Sequence, residues 1–181
     1  GRALPENTVK TQFKRDADHK GLTGGKMEKT KISEPLKINV RRACSEDLSG
    51  ILGMLYQLSP PGPGEISQYP PREKILGEIL RNPDYYLCIA SMDNEIIATG
   101  TLLVQINLSH SGKPYGHVEN VVTDTRFRGK GIGLEVVKSL LSEARKRNCY
   151  KVILNCELHN IPFYMKCGFH ETGEVEMRVN L

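Results

Sequence analysis

Three glycines alternate with other residues in the segment RGKGIG, residues 128–133, and this segment constrains the fold more than any other feature. A strand-like run at 117–123 precedes it, and apolar residues at helical spacing follow it. Glycine lets the backbone turn tightly and approach a ligand closely. A helix that starts at such a turn exposes unpaired N–H groups and a partial positive charge. The segment therefore predicts a strand, a tight loop and a helix start that suits the oxygens of a diphosphate.

The spacing of these glycines excludes two well-known phosphate-binding loops. The segment lacks the G-x-x-x-x-G-K-[ST] pattern of nucleoside triphosphatases. It also lacks G-x-G-x-x-G, and no acidic residue ends a following parallel strand, which disfavours a dinucleotide-binding fold. Arg126, Arg128 and Lys130 add positive charge that would favour an anion. A glycine-rich turn without a ligand is the alternative, but the order of strand, basic loop and helix favours binding.

The rest of the chain alternates between strand-like and helix-like patterns in the order β-α-α-β-β-β-α-β-α-β. This order predicts an α/β (α+β) architecture, a mixed central sheet flanked by helices. Ser45 is the expected N-cap of the first helix. The middle three strands follow one another closely and are typical of an antiparallel meander. Strands are expected at 36–40, 85–92, 96–105, 117–123, 150–155 and 175–179, and helices from residue 45, after residue 71, at 132–148 and at 161–166.

Most of the positive charge lies outside the predicted domain. The chain of 181 residues has a net charge of +4, and residues 1–35 contain eight basic and five acidic side chains. The remainder is therefore close to neutral, which argues against an extended nucleic-acid-binding face. We expect residues 1–35 to be a flexible basic N-terminal extension and residues 36–181 to form one domain.

The cysteines and the absence of long apolar runs indicate a protein of a reducing compartment. The chain has five cysteines, an odd number without C-x-x-C spacing, which favours free thiols. No run of about eighteen apolar residues occurs, and no secretory signal is visible. The five histidines show no metal-ligand spacing, so no metal is expected. We expect a cytoplasmic protein without a membrane span.

The pattern R-x-x-G-x-G, formed by Arg128, Gly131 and Gly133, resembles the acetyl-CoA loop of the GNAT superfamily of N-acetyltransferases. The predicted element order matches that superfamily over roughly residues 36–181. Further segments resemble, in order and spacing, the glucosamine 6-phosphate N-acetyltransferase family. They are GHVENVV at 116–122, NCYK at 148–151, and Asn160 followed by FYMKCGF at 163–169.

This resemblance implies the GNAT fold, acetyl-CoA as the co-substrate and no metal. It also implies acetyl transfer to the amine of glucosamine 6-phosphate, a step toward UDP-N-acetylglucosamine. In the superfamily, the backbone of the strand before the loop pairs with the pantetheine arm. The implied acetyl-CoA contacts here are Val121, Val122, Thr123, Arg128, Gly129, Lys130, Gly131, Ile132, Gly133, Asn155, Asn160, Tyr164 and Lys166.

The resemblance assigns catalytic roles to Glu119, Asn120 and Tyr164. Tyr164 matches a tyrosine that hydrogen-bonds the CoA sulfur and can donate a proton, although a packed aromatic role is the alternative. Glu119 matches a glutamate that orients or deprotonates the ammonium, although it could be only a surface charge. Asn120 and Asn155 stand where the family usually has acids. They keep hydrogen-bonding capacity but lose charge, which leaves the identity of the amine open.

A sugar phosphate requires cations or N–H donors. The resemblance places substrate contacts at Ser59, His110, Glu119, Asn120, Tyr150, Lys151 and Arg178. It also implies a homodimer whose substrate site draws on both subunits. Two other hypotheses stay open at the level of the sequence: a GNAT enzyme for another small amine or a protein lysine, and a non-catalytic CoA-binding module.

Overall fold

A five-stranded sheet lies at the centre of the computed structural model, which describes residues 37–62 and 70–180. Two predicted features lie outside the described residues: the extension at residues 1–35 and Leu36 of the first strand. Residues 63–69, between the first two helices, lie outside them as well. The strands are β1 Asn39–Arg42, β2 Tyr85–Met92, β3 Glu95–Gln105, β4 Tyr115–Thr123 and β5 Val152–Ile153. The helices are α1 Leu48–Leu58, α2 Arg72–Arg81, α3 Ile132–Lys146 and α4 Ile161–Lys166.

The strands lie side by side in chain order, β1 to β5. The first four pair antiparallel, which confirms the predicted meander, and β5 pairs parallel with β4. Asp93 and Asn94 both have positive φ, 49° and 67°, at the tight turn between β2 and β3. Such a turn matches the twist of the two strands that it joins. The parallel pair places the start of β5 next to β4, the strand that leads into the glycine-rich segment.

Both faces of the sheet are covered, and alternating residues of β2 show this. Cys88 and Ala90 belong to the apolar cluster under α3, while Leu87 and Ile89 belong to the cluster under α1 and α2. In α3, Val136, Val137, Leu140 and Ala144 are buried, so the predicted amphipathic helix packs its apolar side on the sheet. In the described part of the chain, none of the helices has the length and apolarity to cross a membrane.

The start of the first helix differs from the prediction, because Ser45 is not its N-cap. Ser45 opens a short 3-10 turn, Ser45–Asp47, whose N-cap is Cys44, and the N-cap of α1 itself is Asp47. The carboxylate of Asp47 accepts the backbone N–H of Cys44 at 2.8 Å and two bonds from Arg41 at 2.7 and 2.8 Å. These bonds lower the pKa of Asp47 to about 2. An ion pair between the buried Asp47 and the partly exposed Arg41, rather than a serine hydroxyl, therefore stabilises this helix start.

The last two predicted strands are shorter or absent. β5 has only two residues, and residues 171–180 are exposed and have no regular structure. The prediction of a strand at 175–179 is therefore wrong for this structure. A strand requires a partner for its backbone groups, and the described residues 37–62 and 70–180 provide none for this segment.

Candidate active site

The segment between β4 and α3, residues 124–131, which we call the glycine loop, exposes the start of α3. Gly131 is the N-cap of α3 and has φ +82°, and Gly129 has φ +75°. Residues with a Cβ rarely adopt this left-handed conformation, so both positions favour glycine. The first helical bond of α3 joins the N–H of Glu135 to the carbonyl of Gly131, and no side chain caps the helix start. The preceding N–H groups are therefore free to bind an anion.

Gly133 allows the first turn of α3 to pack closely against its neighbours. A Cβ at this position would lie 3.0 Å from the hydroxyl oxygen of Thr123 and 3.3 Å from the ring of Phe163. The helix start therefore contacts both the end of β4 and α4. This packing fixes the glycine loop relative to the two elements that supply the other candidate site residues.

The cations of the glycine loop are not equivalent. Arg128 donates from Nε to the carbonyl of Thr123 at 3.1 Å, and the ammonium of Lys130 lies 5.1 Å from the ring centroid of Phe127. Both residues are exposed. Arg126, in contrast, is paired with the carboxylates of Asp124 and Glu95. The expectation that Arg126 adds free positive charge to an anion site is wrong, and only Arg128 and Lys130 remain for that role in this loop.

A bulge interrupts β4 just before the glycine loop. Thr99 pairs with Val122 and Thr101 pairs with Glu119, so β4 has one more residue than β3 between these pairs. Asn120 lies in this bulge with φ +53°, a conformation that asparagine tolerates better than most residues. The bulge redirects backbone groups of β4 near Val121 away from regular pairing.

A cavity of about 460 Å³ lies beside this bulge, and we call it the central cavity. It is lined by side chains from the end of α1, from β4, from the segment after β5 and from α4, together with Glu176. Six predicted site residues line it: Glu119, Asn120, Val121, Asn155, Asn160 and Tyr164. The structure therefore brings the predicted catalytic residues together around one space.

Tyr164 enters the central cavity from α4 and is half-buried. Its ring packs edge-on against Phe163 and Phe169, with centroids 4.9 and 5.9 Å away. Burial raises the pKa of Tyr164 to about 12, with smaller contributions from Cys156 and Cys167. The hydroxyl is therefore protonated at neutral pH, as a proton donor must be.

Glu119 lies on β4 with its side chain 51% exposed, so water and a substrate can reach the carboxylate. The Nε2 atom of His117 is 3.6 Å from Oε1 of Glu119, and both residues line the central cavity. The sequence assigned His117 no role in the site, because a lone histidine has little predictive value. The structure places it beside the carboxylate that the resemblance selects.

Two further carboxylates of the central cavity were missed from the sequence, Glu157 and Glu176. Glu157 follows β5, and its Oε2 lies 3.1 Å from Nδ1 of His159. Glu176 comes from the C-terminal segment, far away in the sequence. With Glu119 they give the cavity three acidic groups, which favours a cationic ligand such as an ammonium. The charge lost at Asn120 and Asn155 is thus present at other positions of the same space.

Apart from the predicted contacts at 122–123 and 128–133, six predicted residues do not line the central cavity: Ser59, His110, Tyr150, Lys151, Lys166 and Arg178. Three of these form a separate aromatic and basic cluster with Tyr115. The rings of His110 and Tyr150 stack at 4.2 Å, and the ammonium of Lys151 lies 5.6 Å from the ring centroids of both tyrosines. Ser59 is exposed just after α1, and Arg178 bonds Asn180 at 2.8 Å.

The predicted backbone contacts of the cofactor lie between the cavity and the glycine loop. Val122 is buried, Val121 and Thr123 are half-buried, and Ile132 is buried in the first turn of α3. β5 pairs with β4 only at Gly116 and His117, so among the described residues no strand pairs with this edge of β4 at residues 121–123. Within residues 37–62 and 70–180, no three histidine, cysteine or acidic side chains are grouped in a way that could hold a metal ion.

Comparison with known proteins identifies a family and named relatives. The family described as "Acetyltransferase (GNAT) family" matches residues 52–169, more than half of the chain. Glucosamine 6-phosphate N-acetyltransferase 1 of Oryza sativa subsp. japonica is 39% identical over 124 residues, which are 67% of this chain and 74% of that protein. The probable glucosamine 6-phosphate N-acetyltransferase 2 of the same organism is 44% identical over 90 residues. That match covers 50% of this chain and spans about half, 54%, of the relative.

A solved structure shows the same fold. The crystal structure of glucosamine-6-phosphate N-acetyltransferase from Arabidopsis thaliana superposes on this one with a TM-score of 0.71 and 30% sequence identity. The match covers 80% of this chain and 98% of the other. It confirms the fold class that was predicted from the order of strands and helices.

Proposed function

Because this chain belongs to the acetyltransferase (GNAT) family, we propose that it transfers the acetyl group of acetyl-CoA to the amine of glucosamine 6-phosphate. The product would be N-acetylglucosamine 6-phosphate, the form used for UDP-N-acetylglucosamine synthesis. One observation carries the proposal: the acidic cavity with Glu119 and Tyr164 lies along β4, and the uncapped start of α3 follows the same strand after the glycine loop.

The glycine loop is the proposed site for the diphosphate of acetyl-CoA. The free N–H groups at the start of α3 would donate to its oxygens, and Arg128 and Lys130 would add charge. The backbone of Val121, Val122 and Thr123 would hold the pantetheine arm, and Asn155, Asn160 and Lys166 would contact the rest. The bound thioester supplies an activated acetyl group. The N–H groups at the β4 bulge would polarise its carbonyl.

Glu119 and Tyr164 are the proposed proton-transfer groups. An amine attacks only without its extra proton, and the exposed carboxylate of Glu119 would orient the ammonium and accept that proton, directly or through water. The leaving thiolate requires a proton in return. Tyr164 would supply it, because it lines the central cavity and its hydroxyl, like that of any tyrosine, is protonated at neutral pH. Asn120 would help to orient the amine next to Glu119.

The acceptor is proposed to bind by its two charged ends. Glu119, Glu157 and Glu176 give the central cavity the acidic character that attracts the ammonium of an amino sugar. Its phosphate requires a basic group, and Lys151 in the cluster with His110 and Tyr150 has this character. Ser59 and Arg178 are the remaining proposed contacts. These basic and polar residues lie outside the lining of the central cavity.

We therefore also infer a homodimer in which the substrate site draws on both subunits. The alternation of Val175, Met177 and Val179, each about four-fifths exposed or more, supports a strand that buries one face against another chain. Sedimentation equilibrium measures this directly. A monomer at the concentrations at which the enzyme is active would contradict the inference.

A cytoplasmic location is proposed as well, because all five cysteines are free thiols. Cell fractionation tests it, and recovery of the protein from an oxidising compartment would contradict it.

The function is tested by the release of thiol from acetyl-CoA with three acceptors side by side: glucosamine 6-phosphate, glucosamine and a lysine-containing peptide. The proposal predicts a strong preference, in kcat/KM, for the phosphorylated sugar over both others. Equal rates with glucosamine would remove the role of the phosphate, and a preference for the peptide would replace the proposed substrate. Absence of turnover with all three acceptors would contradict the proposed acetyltransferase activity and favour a non-catalytic CoA-binding module.

A further inference from the structure

We infer that Gln57, at the end of α1, is a positioning residue that holds the glycine loop in the conformation that binds a diphosphate. The inference rests on the proposed acetyl-CoA site and adds to it a residue that does not touch the cofactor. Gln57 is exposed and lies 67 residues before Asp124 in the chain, yet it is bonded to the first turn of the loop. Neither the sequence motif nor the family resemblance selected it.

Asp124 is the residue through which the loop is anchored. It is 2% exposed and follows β4 directly, where its N–H donates to the carbonyl of Ile97 at 2.9 Å. Its carboxylate accepts the backbone N–H of Arg126 at 2.9 Å, and the guanidinium of Arg126 donates to it at 3.0 and 2.8 Å. These bonds close the turn that opens the glycine loop. They hold the pKa of Asp124 well below its usual range, so the carboxylate is charged.

Gln57 completes this turn from the opposite side. Its Nε2 donates to Oδ2 of Asp124 at 3.3 Å, and its Oε1 accepts the N–H of Thr125 at 3.2 Å. A single amide thus satisfies one acceptor and one donor of two successive residues. Only a side chain with both a donor and an acceptor at this length can do so.

The opposite end of the network is tied to the turn between β2 and β3. Arg126 bridges Asp124 to Glu95, the first residue of β3. The first turn of the glycine loop is therefore held between α1 on one side and β3 on the other. An amide donor aimed at an anion contributes most when its position is fixed before the anion binds. We therefore expect Gln57 to affect the binding of a diphosphate, and not the binding of a ligand that lacks one.

Leu58 follows Gln57 directly and lines the central cavity. The end of α1 therefore lines the central cavity, where the amino sugar is proposed to bind, through Leu58, and it contacts the glycine loop through Gln57. The effect of substituting Gln57 on binding must accordingly be measured separately for acetyl-CoA, the acetyl donor, and for the amino sugar, the acetyl acceptor.

The test compares CoA with pantetheine, which has the same arm and thiol but no diphosphate, by calorimetric titration of the full chain. Gln57→Met keeps length and removes both hydrogen bonds. Gln105→Met is the matched control, because Gln105 is also exposed and lies at the end of β3, away from the loop. We expect Gln57→Met to raise the Kd for CoA about tenfold and to leave that for pantetheine within about twofold. Gln105→Met should change neither.

Steady-state kinetics provide a second, independent test with the same variants. Gln57→Met should raise the KM for acetyl-CoA about tenfold while kcat and the KM for glucosamine 6-phosphate stay within about twofold. Gln57→Glu should weaken CoA further, because its carboxylate would face that of Asp124.

The outcomes separate this inference from the proposed function. If the original protein binds CoA and Gln57→Met binds it equally well, Gln57 does not position the loop, and the proposed function stands. If Gln57→Met weakens CoA and pantetheine equally, or lowers kcat instead of raising the KM for acetyl-CoA, the residue acts on the fold in general and the inference is wrong. If the original protein does not bind CoA, the proposed function fails and this inference fails with it.

Discussion

The glycine loop and the central cavity lie next to each other along β4, but different kinds of interaction form them. Backbone conformation defines the loop: two glycines with positive φ, an uncapped helix start and a buried carboxylate at its first turn. Side chains define the cavity, and most of them are exposed and come from separate segments. Side-chain substitutions in the cavity should therefore impair the chemistry, whereas changes in backbone preference within the loop should impair the binding of CoA.

The largest expected effect belongs to the cavity. Glu119→Gln keeps the size of Glu119 but replaces one acceptor oxygen by an NH2 donor and removes the base, so kcat should fall about 1000-fold. The Kd for CoA should stay within about twofold, because the loop is not touched. Steady-state kinetics and a CoA titration of the same preparation measure both. Glu78→Gln, an exposed glutamate on α2, is the matched control and should leave both values unchanged.

A smaller loss is expected from Tyr164→Phe, about 100-fold in kcat, because a proton from water can partly replace the hydroxyl. The sign of the pH effect follows from the raised pKa. An ordinary tyrosine loses its proton near pH 10, whereas Tyr164 keeps it until about pH 12. With Tyr164 as donor, kcat should therefore stay level from pH 8 to pH 10. A fall in kcat centred near pH 10 that disappears in Tyr164→Phe would contradict the raised pKa, and full activity of the variant would remove the role. Tyr56→Phe on α1 serves as its control.

The smallest expected effect distinguishes CoA binding at the glycine loop most clearly from catalysis in the central cavity. Gly131→Ala forces a Cβ into the left-handed conformation at φ +82°, which costs about 1–2 kcal/mol. The loop should relax away from its binding conformation, so the Kd for CoA should rise about tenfold while kcat at saturating acetyl-CoA changes little. Gly53→Ala in α1 is the control, since a Cβ there meets no atom within 4 Å and the residue is helical. Equal effects of the two substitutions would mean that backbone conformation at the loop is not what binds CoA.

Much of the fold could be predicted because its signals are local. The bounds of α4, Ile161–Lys166, agree with the prediction, since Asn160 and Gly168 mark its two ends in the sequence. The apolar spacing in α3 was equally clear. The strand at 175–179 was also predicted from the sequence, but a strand needs a partner, and a pattern of side chains does not supply one.

The candidate site could be predicted only where a motif defines it. The glycine loop is continuous in the sequence, so its position followed from a few residues. Glu157 and Glu176 reach the central cavity through the fold, and no local pattern distinguishes them from surface charges. The prediction that Arg126 adds positive charge to the anion site failed for a similar reason, since one of its partners, Glu95, lies 31 residues away in the sequence.

The central claim is that the backbone between residues 128 and 133 binds the diphosphate of CoA. A crystal structure of the protein soaked with CoA tests it most directly. We predict diphosphate density within hydrogen-bond distance of the N–H groups at the start of α3, with the thiol end directed toward Tyr164. Density for CoA in another place, with the start of α3 contacting only solvent, would contradict the account.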